Sequence, residues 1–185
     1  YRERAQMAYY TGKRIVEMVK EDLTPSKILT RQAFLNAIVV NSAIGGSTNA
    51  PPHLIAIARH IGAELEIADF QTYGADIPLL VNCQPAGKWL GEMFYRAGGV
   101  PSVMSELLKN EKIAGSCLTV TGKTIAENLK AVGIEDERVI KSYDQPLKEE
   151  AGFIVLGGNI FDSGLIKTSV IGDEFRLRYL ARPGD

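Results

Sequence analysis

The 185 residues carry 21 Lys and Arg against 22 Asp and Glu, a formal net charge of −1, and 45% of them are hydrophobic. That length and apolar share are enough for a buried core, while basic residues spread without a run exclude a nucleic-acid surface or a membrane patch. No apolar stretch reaches the roughly 18 residues of a spanning helix, and the start lacks the apolar core of a signal peptide, so the expected partner is a small molecule and the expected location the cytoplasm or an organelle matrix.

Residues 2 to 21 place Ala5, Ala8, Tyr9, Ile15, Val16 and Val19 at helical spacing, which predicts a long amphipathic helix punctuated by Thr24-Pro25. Thr30 then caps a helix over residues 31 to 43, whose FLNAIVV centre is apolar on nearly every side and so belongs deep in the core. Next come Gly45-Gly46-Ser47-Thr48-Asn49 and a helix over residues 50 to 61, stopped by Gly62, with Thr48 or Asn49 as the expected cap and His60 expected to close the far end. A short helix over residues 69 to 73 leads to Leu79-Leu80-Val81-Asn82, an apolar run suited to a parallel strand buried on both faces. Beyond it the pattern predicts a loop, a helix ending at Gly98-Gly99, and another opening at Pro101-Ser102. A second strand over residues 117 to 120 and a helix capped by Thr121 and running to about Gly133 complete an α/β rhythm. Near residue 150 the pattern changes. FIVLGGNIFDSGLIKTSVIG reads as two strands around a turn region, followed by a helix over residues 173 to 180, so residues 1–150 are assigned to one domain and 151–185 to the start of a β-rich one. The chain begins without Met and ends on a turn signal, as a fragment of a longer protein would.

The glycine loop is the part of the sequence richest in chemistry. Gly45 and Gly46 lack the Cβ atoms that keep a ligand from the backbone, and Ser47, Thr48 and Asn49 offer polar side chains at the start of a helix whose Pro51 and Pro52 have no N–H to orphan. Free N–H groups and the helix dipole there favour an anion or a developing negative charge. The same pattern also serves as a well-capped structural helix. His53 stands in the first turn beside the loop, and His60 is about 10 Å further along the axis, too far for one metal ion to join them. Cys83 and Cys117 lie on separate elements and are expected as buried thiols.

TVTGKT at residues 119 to 124 imitates the end of a phosphate loop, but Cys117 occupies the place of its first glycine, so a strand, a cap and an exposed Lys123 are the better account. Asn82, Cys83 and Lys88 follow a buried strand, where α/β sheets meet ligands, although Lys88 and Trp89 also suit a solvated helix start and a core position. Asp162 and Ser163 suit a hairpin turn. No complete catalytic set is evident.

Taken in order, YRERAQMAYYTGKRI, RQAFLNAIVVNSAIGGSTNAPPHLIAIARHIG, DIPLLVNCQPAGKWLGE, FYRAGGVPSVMSELL and GFIVLGGNIFDSGLIKTSVIG resemble the iron–sulfur dehydratases, which include dihydroxy-acid and sugar-acid dehydratases. The resemblance covers almost the whole chain, and the YRERxQMAY and PLLVNxQPAGK runs are most similar to the aldonate branch, xylonate and arabinonate dehydratases.

The resemblance implies an α/β fold: the middle of an N-terminal domain with a parallel sheet, then the start of a C-terminal β-barrel-like domain. It implies a lyase that removes water from a small acidic polyhydroxy substrate, a 2,3-dihydroxy sugar acid, to give the 2-keto-3-deoxy acid. The branched-chain biosynthetic dihydroxy-acid dehydratase is the second reading, and a non-catalytic anion-binding module is a third. The family uses a [2Fe-2S] cluster, in some members [4Fe-4S], and Mg2+, with the cluster cysteines and magnesium ligands upstream of Tyr1 and the catalytic serine beyond Asp185. Neither Cys83 nor Cys117 matches a ligand motif, so no catalytic or metal-binding residue is expected within the chain, and the chain alone is expected to be inactive. The resemblance implies a homo-oligomer for the full-length protein. Gly45, Gly46, Ser47, Thr48, Asn49 and His53 are then the residues expected near the substrate or cluster.

Overall fold

Helix α3 (Arg31–Ala43) organises the chain, because two separate apolar clusters share it. In this computed structural model, which describes residues 2–172 and 174–175, Phe34, Leu35 and Ile38 face one cluster with Ala58, Leu65, Phe70 and Phe153. Val39 and Ala43 face the other, with Leu80, Val81, Val103, Leu107, Val139 and Ile140 among its members. A helix enclosed on two sides must be apolar nearly all round, which is what FLNAIVV supplies. Its start is capped as predicted: Thr30 Oγ1 accepts from the Ala33 N–H at 3.3 Å.

Before α3 come α1 (Arg2–Lys20) and the single turn α2 (Pro25–Ile28), and after it α4 (Ala50–His60) and α5 (Ile67–Gly74). The predicted long first helix is present, but Met18 is its one buried residue. The far end of α4 is closed by Gly62, at φ +75°, with the Ala63 N–H donating to Ala58 O at 2.9 Å, whereas the His60 side chain is exposed and makes no cap. Arg31 joins the starts of α3 and α5: its guanidinium pairs with Asp69 at 2.9 Å and donates to Glu64 O, and Asp69 also accepts from the Glu66 N–H.

Leu79, Leu80 and Val81 are buried, as predicted, and Asn82 is half-buried, yet residues 79 to 82 do not form a parallel strand. Leu79 bridges Lys148 and Val81 bridges Ile140, both antiparallel, and the Leu80 N–H donates to Ala43 O at 2.8 Å. The reason lies in what surrounds the segment: loop residues and the end of α3 satisfy its backbone, so among the described residues no neighbouring strand is needed or present. The predicted strand at 117–120 likewise reduces to a bridge between Leu118 and Thr124 across a tight turn at Gly122.

Helix α6 (Gly91–Arg96) ends just before Gly98, and α7 starts earlier than predicted, spanning Gly99–Lys109. Helix α8 (Ile125–Asn128) is capped by Thr124, not by the predicted Thr121. Thr124 and Glu127 exchange backbone and side-chain hydrogen bonds in a capping box, while the Thr121 hydroxyl is occupied by Thr119 and Asn128. The predicted hairpin is present as β1 (Phe153–Leu156) and β2 (Gly164–Lys167), paired antiparallel with Phe153 opposite Lys167. It is the one sheet among the described residues, a two-stranded hairpin and not a barrel. Phe153 meets the ring of Phe70 edge-on, and the Val155 N–H donates to Gln71 of α5 at 2.9 Å. The predicted helix over residues 173 to 180 lies outside the described residues, save 174 and 175. No described helix is long and apolar enough to cross a membrane.

Candidate functional site

The glycine loop leaves α3 through two backbone turns. The Gly45 N–H donates to Ser42 O at 3.0 Å and the Gly46 N–H to Asn41 O at 2.8 Å. Gly45 has φ +62°, and a Cβ there would stand 2.9 Å from Leu79 Cδ1 and 3.4 Å from Ser169 Oγ. At Gly46 it would overlap the Asn41 side chain, 1.8 Å from Oδ1. Both glycines are therefore required by packing beneath the loop, where Leu79 and Ser169 form its seat.

Above that seat Ser47, Thr48 and Asn49 are exposed. The predicted cap by Thr48 or Asn49 is absent. Asn49 occupies the cap position in a helical conformation (φ −77°, ψ −18°), from which its side chain does not reach the helix N–H groups. Ser47 closes the turn instead: its Oγ accepts from the Asn49 N–H at 3.1 Å and its carbonyl from the Ala50 N–H at 3.1 Å. Capping would have consumed the Thr48 hydroxyl and the Asn49 amide. They are left free to meet solvent or a ligand, as are the Ser47 and Thr48 N–H groups, which donate to nothing among the described residues. His53, also exposed, follows one turn into α4. Of the six predicted residues, Gly45 and Gly46 are half-buried on the seat, while Ser47, Thr48, Asn49 and His53 are exposed at the start of an eleven-residue helix whose dipole favours negative charge. Clefts at Arg31–Arg59–Asp69 and along α1 lie elsewhere.

Beneath the loop the structure adds three polar atoms that the sequence did not mark. Asn41 Nδ2, Ser42 Oγ and Ser169 Oγ are buried and have no hydrogen-bond partner. Asn41-Ser42, two polar residues directly after the apolar FLNAIVV run on a buried helix, were the available signal; Ser169, after the hairpin, carried none.

The other candidates resolve as structural. Asn82 Oδ1 accepts from the Lys88 N–H at 2.8 Å, its Nδ2 donates to Arg138 O, and the Lys88 ammonium lies over the Trp89 ring, 5.1 Å from its centre. The TVTGKT segment is a tight turn whose hydroxyls bond one another and Asn128. Cys117 is buried, as predicted, and burial pushes its thiol up from the ordinary value despite the Asn36 amide at 3.5 Å; Cys83 is half-buried. No three His, Cys, Asp or Glu side chains among the described residues converge as metal ligands. The described residues therefore do not fit an iron–sulfur cluster or Mg2+.

The sequence pattern of the dihydroxy-acid/6-phosphogluconate dehydratase N-terminal family matches residues 1–128. The chain belongs to this dehydratase family. It is similar to D-xylonate dehydratase of Caulobacter vibrioides, 56% identical over 184 residues, covering 100% of this chain and 31% of that protein. L-arabinonate dehydratase of Rhizobium leguminosarum bv. trifolii is 45% identical over 163 residues, 88% of this chain and 28% of the relative. Dihydroxy-acid dehydratase of Ruminiclostridium cellulolyticum is 41% identical over 178 residues, 96% of this chain and 32% of the relative. The chain spans about a third of the length of the curated relatives it matches. The match over residues 1–128 spans the glycine loop, as does the similarity to D-xylonate dehydratase, which covers the whole chain.

Proposed function

We propose that the polypeptide containing this chain is a hydro-lyase that dehydrates a sugar acid, and that the Gly45–Asn49 loop faces the acidic substrate. The observation that carries the reading is the 56% identity to a D-xylonate dehydratase over the whole chain, against 41% to a dihydroxy-acid dehydratase. In the reaction the C2 proton of a 2,3-dihydroxy acid leaves to a base and the C3–O bond breaks with loss of water; the resulting enol takes up a proton at C3 as the 2-keto acid forms. Negative charge accumulates on the carboxylate oxygens as the proton leaves C2, and on the C3 oxygen as its bond to carbon breaks.

The role of this chain's own residues follows from that charge. The Ser47 and Thr48 N–H groups, the Thr48 hydroxyl and the Asn49 amide supply uncharged donors at the positive end of α4. Uncharged donors can hold a carboxylate without protonating it, and Gly45 and Gly46 let the backbone approach. His53 stands exposed in the first turn of α4 beside them. Metal chemistry in this reading belongs to residues outside the chain, so no step is assigned to a metal here, and the chain by itself is inactive. Residues 151 to 185 in this reading open a C-terminal β-barrel-like domain, and the full-length protein is a cytoplasmic homo-oligomer.

The test is turnover by the full-length protein of xylonate and arabinonate against 2,3-dihydroxy-isovalerate. The proposal expects kcat/KM to favour a sugar acid. Preference for the branched-chain acid would move the protein to the biosynthetic reading, and binding of these anions without turnover would make it a non-catalytic module.

A further inference from the structure

Helix α1 touches the body of the protein at one end. Every described residue from 2 to 13 is exposed, and contact runs through Met18 and through Arg14, which donates to Val120 O at 2.6 Å and pairs with Glu21 at 2.7 Å. A helix left in water should be polar on its free side, and this one is not. Ala5, Ala8, Gly12, Ile15 and Val19 follow at spacings of three, four, three and four residues, with Tyr9 and Val16 beside them, so the seven share one face. Tyr9 is 64% and Val19 75% exposed, and Ile15 and Val16 are more than half exposed. At the centre, Gly12 leaves a notch between Ala8, Tyr9 and Val16, part of a depression of about 560 Å³. A Cβ at Gly12 would meet nothing within 4 Å, so nothing in the chain itself requires glycine at this interior helical position.

The borders of the face carry charge of one sign. Arg2, Lys13 and Lys20 run along one border and Arg4 lies on the other, while the nearest acid, Glu17, is held by Arg14 at 3.2 Å. Two copies of α1 meeting across this face would bring basic borders together, which disfavours self-pairing. The relatives are about three times as long as this chain, so the longer polypeptide has ample sequence to supply a different partner. We infer that the Ala5–Val19 face is the docking site of another helix of the same polypeptide, one that places a large aliphatic side chain in the Gly12 notch and carries acidic residues along its flanks. The inference is independent of the reaction proposed above.

Hydrogen exchange of residues 2–20 in the full-length protein, measured at two concentrations about tenfold apart, tests it. The expected result is strong protection at both concentrations, a fall of about tenfold or more in Gly12→Leu, and a comparable fall in the Lys13→Glu, Lys20→Glu double variant. A free helix would respond to Gly12→Leu in the opposite sense, because leucine is the better helix former. Weak protection in the wild type, or increased protection in Gly12→Leu, would overturn the inference. Protection lost on dilution would overturn it in favour of a second copy.

Discussion

Replacing Gly45 with alanine separates the seat of the glycine loop from generic backbone strain. An L-residue at φ +62° carries a penalty of about 1–2 kcal/mol, and loss of glycine's freedom in the unfolded chain offsets roughly 0.4–1 kcal/mol of it. Gly62→Ala, at φ +75° with nothing within 4 Å of the new methyl, should show that balance alone, about 0.5–1 kcal/mol of destabilisation. At Gly45 the methyl also stands 2.9 Å from Leu79 Cδ1, and Leu79 is only 1% exposed, wedged where it cannot retreat. Overpacking of that kind adds about 1–2 kcal/mol, for a total of about 2–3 kcal/mol. For a chain of this size the gap of about 1–2 kcal/mol between the two variants corresponds to roughly 2–8 °C in Tm. Urea unfolding at constant m, with thermal melts as a check, measures it. Equal losses in the two variants would refute the claim that the loop is packed against Leu79.

Asn36→Leu should destabilise the protein by about 2–4 kcal/mol in the same assay, because the buried amide donates to Ala114 O and accepts from the Ala114 N–H, both at 2.9 Å, and both backbone groups would be left unpaired. The Asp136 carboxylate, held by the Arg138 guanidinium and N–H, should titrate at about 2 by NMR, below its ordinary 3.8. Because the folded value is the lower one, its contribution to stability is complete above about pH 4 and disappears as pH falls toward 2; Arg138→Gln should return the titration toward the ordinary value. A thiol reagent at neutral pH should label Cys83 first and reach Cys117 only on unfolding, since burial raises the Cys117 thiol and shields it.

What was legible in the sequence divides along local and non-local lines. The α3 helix and its Thr30 cap, the Gly62 stop and the 153–167 hairpin were readable because apolar spacing, cap residues and turn glycines act within a few positions. The 79–82 run was readable as apolar and buried but not as bridged to Lys148 and Ile140, since those partners lie roughly sixty to seventy residues away in segments with no strand pattern. Thr121 and Thr124 are both cap residue types, and Thr124 takes the position because only it has a Glu three residues on to complete the capping box. At the loop, the glycine pair, the three polar residues and the helix after them were readable. The Ser47 turn that frees Thr48 and Asn49 was not, nor was the unpaired hydroxyl of Ser169 brought under Gly45 by the turn after β2. The apolar side of α1 was legible too, but nothing in its periodicity distinguishes a face that meets this chain's core from one that awaits another segment.

The Asn49→Asp variant of the full-length protein tests the account at its centre. Asn49 is exposed at the start of α4 and makes no side-chain cap, so a carboxylate there should leave folding intact or stabilise it by about 0.3–1 kcal/mol through the helix dipole. The same charge would face the acidic substrate. The expected result is an unchanged or raised Tm with kcat/KM for the sugar acid lowered at least about tenfold, equivalent to about 1.4 kcal/mol. A kcat/KM within about twofold of the wild type, in a protein that melts normally, would contradict it.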